Sequence, residues 1–267
     1  MRENLGSAIR ETPVLKQVAQ LERLSMLEHE LAIAGEIQNG MLPRSIPRLE
    51  GYEFGAKTIP AKFVGGDFFD FIPLGNDSLG IAVGDVSGKG VPAALFMAMA
   101  RSLLRAEAHP GRSPKEVLQA VNRHLVSMNE KEMFVTILFG ILNRTTQRFQ
   151  YARAGHETPI LLDGQGSIKR LPKGHGHALG LFDEIALDEQ KVQLSRGNMM
   201  LLYSDGITEA TNRYNESFGF DRVGRTLIGL TQRSAQMICD KLMSTVSEHQ
   251  RDSLQHDDMT VIVVRAA

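Results

Sequence analysis

A chain of 267 residues with a single cysteine, Cys239, cannot form a disulfide within itself, and that usage fits a reducing compartment. No apolar stretch approaches the roughly 20 residues that cross a bilayer, and the amino terminus lacks the apolar core of a secretion signal. A cytoplasmic protein without a membrane partner is expected. An excess of one charge is also missing. The formal net charge is −1, with acidic and basic residues interspersed, so no basic field exists to hold a phosphate backbone, which argues against a nucleic-acid partner. Internal repeats and low-complexity tracts are absent. At 42% hydrophobic residues, the chain can bury one substantial core, or one core with a helical appendage, which excludes a disordered or fibrous protein.

Residues 12–42 contain no glycine before Gly35 and no proline between Pro13 and Pro43. Apolar residues recur there at Val14, Val18, Leu21, Leu24, Leu27, Leu31 and Ala34, in steps of three or four, with a slip near Ser25 that breaks a strict heptad. This stripe predicts a helix. Two readings stay open: a helix lying on its own domain, or a stalk that pairs with a second copy or transmits a signal. Pro43, Pro47 and Gly51 end it. A helical linker, regulatory or dimerisation segment over 1–45 is therefore expected ahead of a compact domain over 46–267.

Within that domain the pattern predicts strands at Tyr52–Ile59, Phe68–Ile72, Leu79–Val83, Phe134–Leu142, Phe149–Ala154, Pro159–Leu162, Met199–Tyr203 and Met259–Val264. The run Phe134–Phe139 is apolar on both faces and belongs in mid-sheet. Helices are expected at Val91–Ala108, at Ser113–Met128 with Ser113 as cap and Pro114 in the first turn, at Gly219–Leu230 and at Ser234–Glu248. Strand runs broken by helical pairs argue for an α+β sandwich over a regular βαβ alternation.

Four short acidic motifs carry the chemistry: Gly65-Gly66-Asp67-Phe68-Phe69-Asp70, Gly84-Asp85-Val86-Ser87-Gly88-Lys89-Gly90, Ser204-Asp205-Gly206 and His256-Asp257-Asp258-Met259-Thr260. Each lies beside a strand-like run, so one folded sheet edge could gather them. Gathered carboxylates repel and have raised pKa values unless a cation sits between them, and such oxygen donors suit Mg²⁺ or Mn²⁺. A two-metal hydrolase is the reading that follows. Taken singly, each motif is also an ordinary turn: Asp85 as a strand-to-helix cap, Asp205-Gly206 as a tight turn.

Competing chemistries fail on spacing. A nucleotide-binding P-loop has four residues between its glycines and Ser or Thr after the lysine, whereas Gly84 and Gly88 enclose three and Gly90 follows Lys89. Cys239 lies in a helical pattern with Thr245, not arginine, six residues on, and reads as a small buried apolar group. His109, His124, His175, His177 and His249 lack metal-site spacing.

In order and local sequence these motifs, together with Val91-Pro92-Ala93-Ala94, Ala154-Gly155-His156, Leu179-Gly180 and Ile207-Thr208-Glu209-Ala210, resemble the PPM-type metal-dependent serine/threonine protein phosphatases, specifically their bacterial SpoIIE/RsbU-like branch. The similarity runs from about residue 46 to the end. It implies an αββα sandwich, two antiparallel sheets flanked by helices, with two Mn²⁺ or Mg²⁺ ions at one sheet edge. By matching position, Asp85 would bridge the ions, Asp205 and Asp257 would complete one, and Asp67 with the Val86 carbonyl the other. Asp85, Asp205 and Asp257 would thus carry catalysis, with Asp70 and Asp258 orienting ligands and waters from outside.

The branch implies hydrolysis of phosphoserine or phosphothreonine on a protein, usually a STAS-domain anti-anti-sigma factor in a partner-switching pathway, with an upstream sensor or regulator acting through the amino-terminal helix of a homodimer. Two departures stand out. Eukaryotic relatives carry Gly-His after the bridging Asp where this chain has Val86-Ser87, which leaves the general acid unassigned, and Glu157 follows Gly155-His156 where the branch usually has Asn. No phosphate-binding arginine is identifiable, and Lys89 is the candidate in its place. The alternatives are a two-metal phosphodiesterase acting on small molecules and a catalytically inactive module of the same fold. The presence of all four carboxylates argues against the second.

Overall fold

The computed structural model describes residues 13–129, 132–251 and 253–267. The first twelve residues of the expected 1–45 segment lie outside them, as does the side chain of Val14. Two five-stranded antiparallel sheets lie face to face. One has the order β2-β3-β4-β5-β8, from Phe68–Pro73, Ser78–Val86, Val135–Asn143, Arg148–Ala154 and Glu189–Gln193. The other has the order β1-β10-β9-β6-β7, from Tyr52–Ile59, Met259–Ala266, Met199–Tyr203, Ile160–Leu162 and Ile168–Arg170.

Strand alternation builds the layers. In β4, Val135, Ile137 and Phe139 pack outward under α2 (Val91–Glu107) and α3 (Pro114–Met128), while Leu138 and Leu142 pack between the sheets. In β10, Met259, Val261 and Val263 meet α5 (Gly219–Ile228) and α6 (Ala235–His249), while Ile262 and Val264 face inward. The αββα sandwich is therefore in place, with β4 at the centre of its sheet. Ser113 caps α3 through a reciprocal box with Glu116, and Pro114 opens the helix, as its sequence predicts.

Two strands escape the sequence pattern. Both β7 and β8 are short sheet edges, and β8, Glu-Gln-Lys-Val-Gln, has the charged and polar character that protects an edge from foreign pairing. Asp205-Gly206, read as a turn, instead opens a four-residue helix, α4 (Asp205–Thr208).

The first helix, α1, runs Pro13–Met41, about 43 Å at 1.5 Å per residue. Its two halves differ. Val18, Leu21, Leu24 and Leu27 are exposed, whereas Gly35 is buried and Gln38 grips Gly65 through both amide atoms, accepting its N–H at 2.9 Å and donating to its carbonyl at 2.6 Å. This chain thus leaves the Val18–Leu27 part of the sequence stripe open, while Leu31 and Ala34 are half-buried and Gln38 ties the docked end. Among the described residues no helix is long and apolar enough to cross a membrane.

Alternation also sends Asp70 away from the site expected for it. With Phe68 and Ile72 it faces α2, where its fully buried carboxylate pairs with Arg101 at 2.9 Å and Arg105 at 2.7 Å and accepts the N–H of Phe71 at 2.8 Å. It ties α2 to β2. Removing one member of a buried pair leaves an uncompensated charge. Asp70→Ala should cost about 3 kcal/mol on that basis, read as a lower urea midpoint; a loss below about 1 kcal/mol would show the clamp to be dispensable.

Candidate functional site

The sheets bring the acidic motifs to one edge of the sandwich. Asp67 immediately precedes β2 and Asp85 is the penultimate residue of β3, side by side across the Phe68–Gly84 pair. Asp205 lies two residues beyond Tyr203 at the end of β9, and Asp257 and Asp258 precede β10, side by side across the Tyr203–Val261 pair. Each sheet thus delivers carboxylates from two adjacent strand ends, and the face-to-face stacking sets the two groups against each other.

Asp258 and Ser204 tie the groups together. Asp258 Oδ1 accepts the N–H of Ala61 at 2.7 Å, and its Oδ2 accepts those of Gly66 at 2.6 Å and Asp67 at 3.3 Å. A Cβ at Gly65 would strike this carboxylate, and one at Gly66 would stand 2.9 Å from the Val86 carbonyl oxygen, which explains the two glycines before Asp67. Ser204 Oγ donates to Asp67 Oδ2 at 2.6 Å and accepts the N–H of Thr260 at 2.9 Å. Asp258 is therefore a backbone anchor for the loop that presents Asp67.

The charge balance is unfavourable. Burial, then the charges of Asp205, Asp257 and Asp258, push Asp85 up to about 7, although a hydrogen bond with Asp67 opposes the rise. Burial and Asp85 likewise hold Asp67 well above the ordinary carboxyl range. A hydrogen bond between two carboxyls requires a proton on one of them. Burial, then Glu209, Asp257 and Glu157, raise Asp205 to about 6. Glu157 thus adds negative charge beside Asp205 where an Asn would add none. Lys89, the candidate phosphate contact, instead lies against Asp257 Oδ2 at 2.9 Å and also donates to the His256 carbonyl.

The donor set is all oxygen and short of positive charge, which fits hard divalent cations. As they stand, no three His, Cys, Asp or Glu among the described residues close into a ready cation cage. Asp67 accepts a hydrogen bond from Ser204, and Asp257 is paired with Lys89.

Three residues position this site: His156, which the Ala154-Gly155-His156 motif includes, and Arg153 and Gln38, which the sequence does not single out. His156 is buried, bonds Thr136 Oγ1 through Nδ1 at 2.8 Å, and is driven by burial down to about 3, with the backbone of Tyr203 opposing. It is neutral at physiological pH and knits the Asp85 strand pair to β9, so it donates no proton there. Arg153, also buried, donates to the carbonyls of Lys173, Gly174 and His156 and fixes the segment beside Glu157. Gln38 reaches the loop from α1. Burial and the polar partner of each become visible only once the strands are paired.

Comparison with known proteins agrees with this fold. The family described as Stage II sporulation protein E (SpoIIE) matches residues 75–267, a span that includes Asp85, Asp205 and Asp257 but not Asp67. Protein IcfG of Synechocystis is 31% identical over 262 residues, covering 88% of this chain, which in turn spans only 41% of that protein. Phosphoserine phosphatase RsbU of Bacillus subtilis is 29% identical over 263 residues, covering 97% of this chain and 75% of RsbU. The SiaA-PP2C domain of Pseudomonas aeruginosa superposes with a TM-score of 0.81 over 91% of this chain and 98% of that one, at 23% identity, a likeness of fold.

The electrostatics give a pH signature to the metal-free protein. With a folded pKa of about 7 against 3.8 unfolded, Asp85 binds its proton more tightly when folded, so its penalty grows as pH rises from 3.8 and is complete above 7. Asp85→Asn should therefore raise the Tm in EDTA at pH 8, with the difference vanishing near pH 4. A lower Tm at pH 8 would contradict the repulsion.

Proposed function

The chain belongs to the SpoIIE family, and from that premise we propose that it is a metal-dependent protein phosphatase acting on phosphoserine or phosphothreonine. The observation that carries the proposal is the meeting of Asp67, Asp85, Asp205 and Asp257 from two sheets at one edge, where burial and mutual charge push Asp85 up to about 7. In this reading Asp67, Asp85, Asp205, Asp257 and the Val86 carbonyl hold two divalent cations, Mn²⁺ or Mg²⁺, with Asp85 shared and Asp85, Asp205 and Asp257 carrying catalysis. Bound there, such ions supply positive charge to phosphoryl oxygens and acidify water at neutral pH.

The chain's own residues hold that arrangement in register. Asp258 fixes the 61–67 loop, Ser204 orients Asp67, and neutral His156 spans the two strand pairs. The one cysteine is not a candidate nucleophile: Cys239 lies on the buried face of α6, where burial pushes its thiol up to about 12.

RsbU of Bacillus subtilis is named a phosphoserine phosphatase, and its likeness favours a phosphoprotein substrate over a small diester. The proposed substrate is a phosphorylated STAS-domain protein in a cytoplasmic partner-switching pathway. The division into a 1–45 regulatory segment and a 46–267 catalytic domain belongs to the same proposal. A regulator would act through α1, whose exposed Leu21, Leu24 and Leu27 suit pairing in a homodimer and whose Gln38 reaches the Asp67 loop.

The test is dephosphorylation of a phosphoserine peptide by purified protein. Activity should require Mn²⁺ or Mg²⁺ and be lost in excess EDTA, and Asp85→Asn should lower turnover at least about a hundredfold, the scale for losing a principal electrostatic stabiliser. Full activity in EDTA, or in Asp85→Asn, would refute the proposal. Faster turnover of a nucleotide diester would favour a phosphodiesterase. Deleting residues 1–40 should convert a dimer to a monomer in light scattering; an unchanged mass would limit α1 to packing.

A further inference from the structure

Lys89 stands where none of the proposed roles uses it. Its ammonium donates to Asp257 Oδ2 at 2.9 Å and to the carbonyl of the adjacent His256. It is the one lysine or arginine among the described residues seen paired to any of the four site carboxylates. The pair lies at the mouth of the site, with side chains 41% and 42% exposed. Lys89 is carried on a turn between Gly88 and Gly90, both at positive φ (83° and 76°), just ahead of α2. A long side chain between two such residues can leave its partner without moving β3 or β10.

The lone pair of Asp257 Oδ2 that accepts the Lys89 ammonium is not open to a metal ion, Oδ1 already accepts the N–H of Asp258 at 3.0 Å, and an ammonium and a divalent cation at contact distance on one carboxylate repel each other. We propose that Lys89 is a built-in competitor for Asp257, occupying the carboxylate in the metal-free protein and giving way when a divalent cation binds. The competition makes Lys89 a determinant of cation affinity. The inference rests on the reading of Asp257 as a cation ligand.

The experiment is calorimetric titration of the full chain with Mn²⁺, which needs no substrate and reads no turnover. Lys89→Met should tighten binding by about fivefold or more, the lower range of couplings between linked sites. Lys89→Gln should repeat the result, and circular dichroism would verify that both variants fold. Lys62→Met removes the same charge from the neighbouring 61–67 loop and should change nothing. In an Asp257→Asn background the Lys89 substitution should have no effect, because the contested carboxylate charge is gone.

Unchanged or weaker binding in both Lys89 variants would overturn the proposal. So would equal tightening in the Asp257→Asn background or in Lys62→Met, since either would mark a general charge effect. If Asp257→Asn alone leaves Mn²⁺ binding unaltered, Asp257 is not a ligand and the functional reading fails at that residue. If Asp257→Asn weakens binding while the Lys89 variants do not strengthen it, only the competition is lost.

Discussion

Repulsion among carboxylates at one edge of the sandwich is the constraint around which the other features are arranged. Asp85 sits close enough to Asp205, Asp257 and Asp258 for their charges, with burial, to lift it to about 7. A relaxed chain would separate these groups. Here they are carried on strand ends whose registers are fixed by ladder pairing and by apolar side chains on both faces, so the fold's hydrophobic energy holds together what electrostatics would drive apart. The polar ties at the edge serve the same end. Asp258 spends its oxygens on three backbone N–H groups of the Asp67 loop, and Ser204 bridges Asp67 to β10.

The scaffold behind the edge is stiff where the site needs stiffness. Buried Asp70 joins α2 to β2 through two arginines, which ties the helix that follows the Asp85 loop to the strand that follows Asp67. His156, bonded to Thr136 through Nδ1, and Arg153, bonded to three backbone carbonyls, fix the opposite flank. The exposed parts lie at the rim: Lys89 between Gly88 and Gly90, and the first half of α1. A site of this kind can change its charge state and its regulatory contacts without disturbing its frame.

Much of this was legible in the residues, for identifiable reasons. Apolar runs such as Phe134–Phe139 signal a strand covered on both faces, and that strand is β4 at mid-sheet. Ser113-Pro114 states a helix start without need of tertiary context. The acidic motifs were legible because each sits at a strand end, and antiparallel pairing turns that local fact into a shared location. What escaped depends on the partner across the gap. Asp70 and Asp67 share a motif, yet the strand's twofold alternation sends Asp70 to α2. Lys89 reads as a phosphate contact until Asp257, far away in sequence, is found against it. The α1 stripe predicts a buried face, but nothing in its periodicity says whether that face lies on this chain or is left open.

The central claim, that these carboxylates form one cation-binding centre, is tested most directly by anomalous diffraction from crystals of the full chain grown with Mn²⁺. The account predicts two anomalous peaks at this sheet edge, both within coordination distance of Asp85, one also reaching Asp205 and Asp257 and the other Asp67 and the Val86 carbonyl, with the Lys89 ammonium displaced from Asp257. Absence of peaks at saturating Mn²⁺, or peaks elsewhere with Lys89 still seated on Asp257, would contradict it.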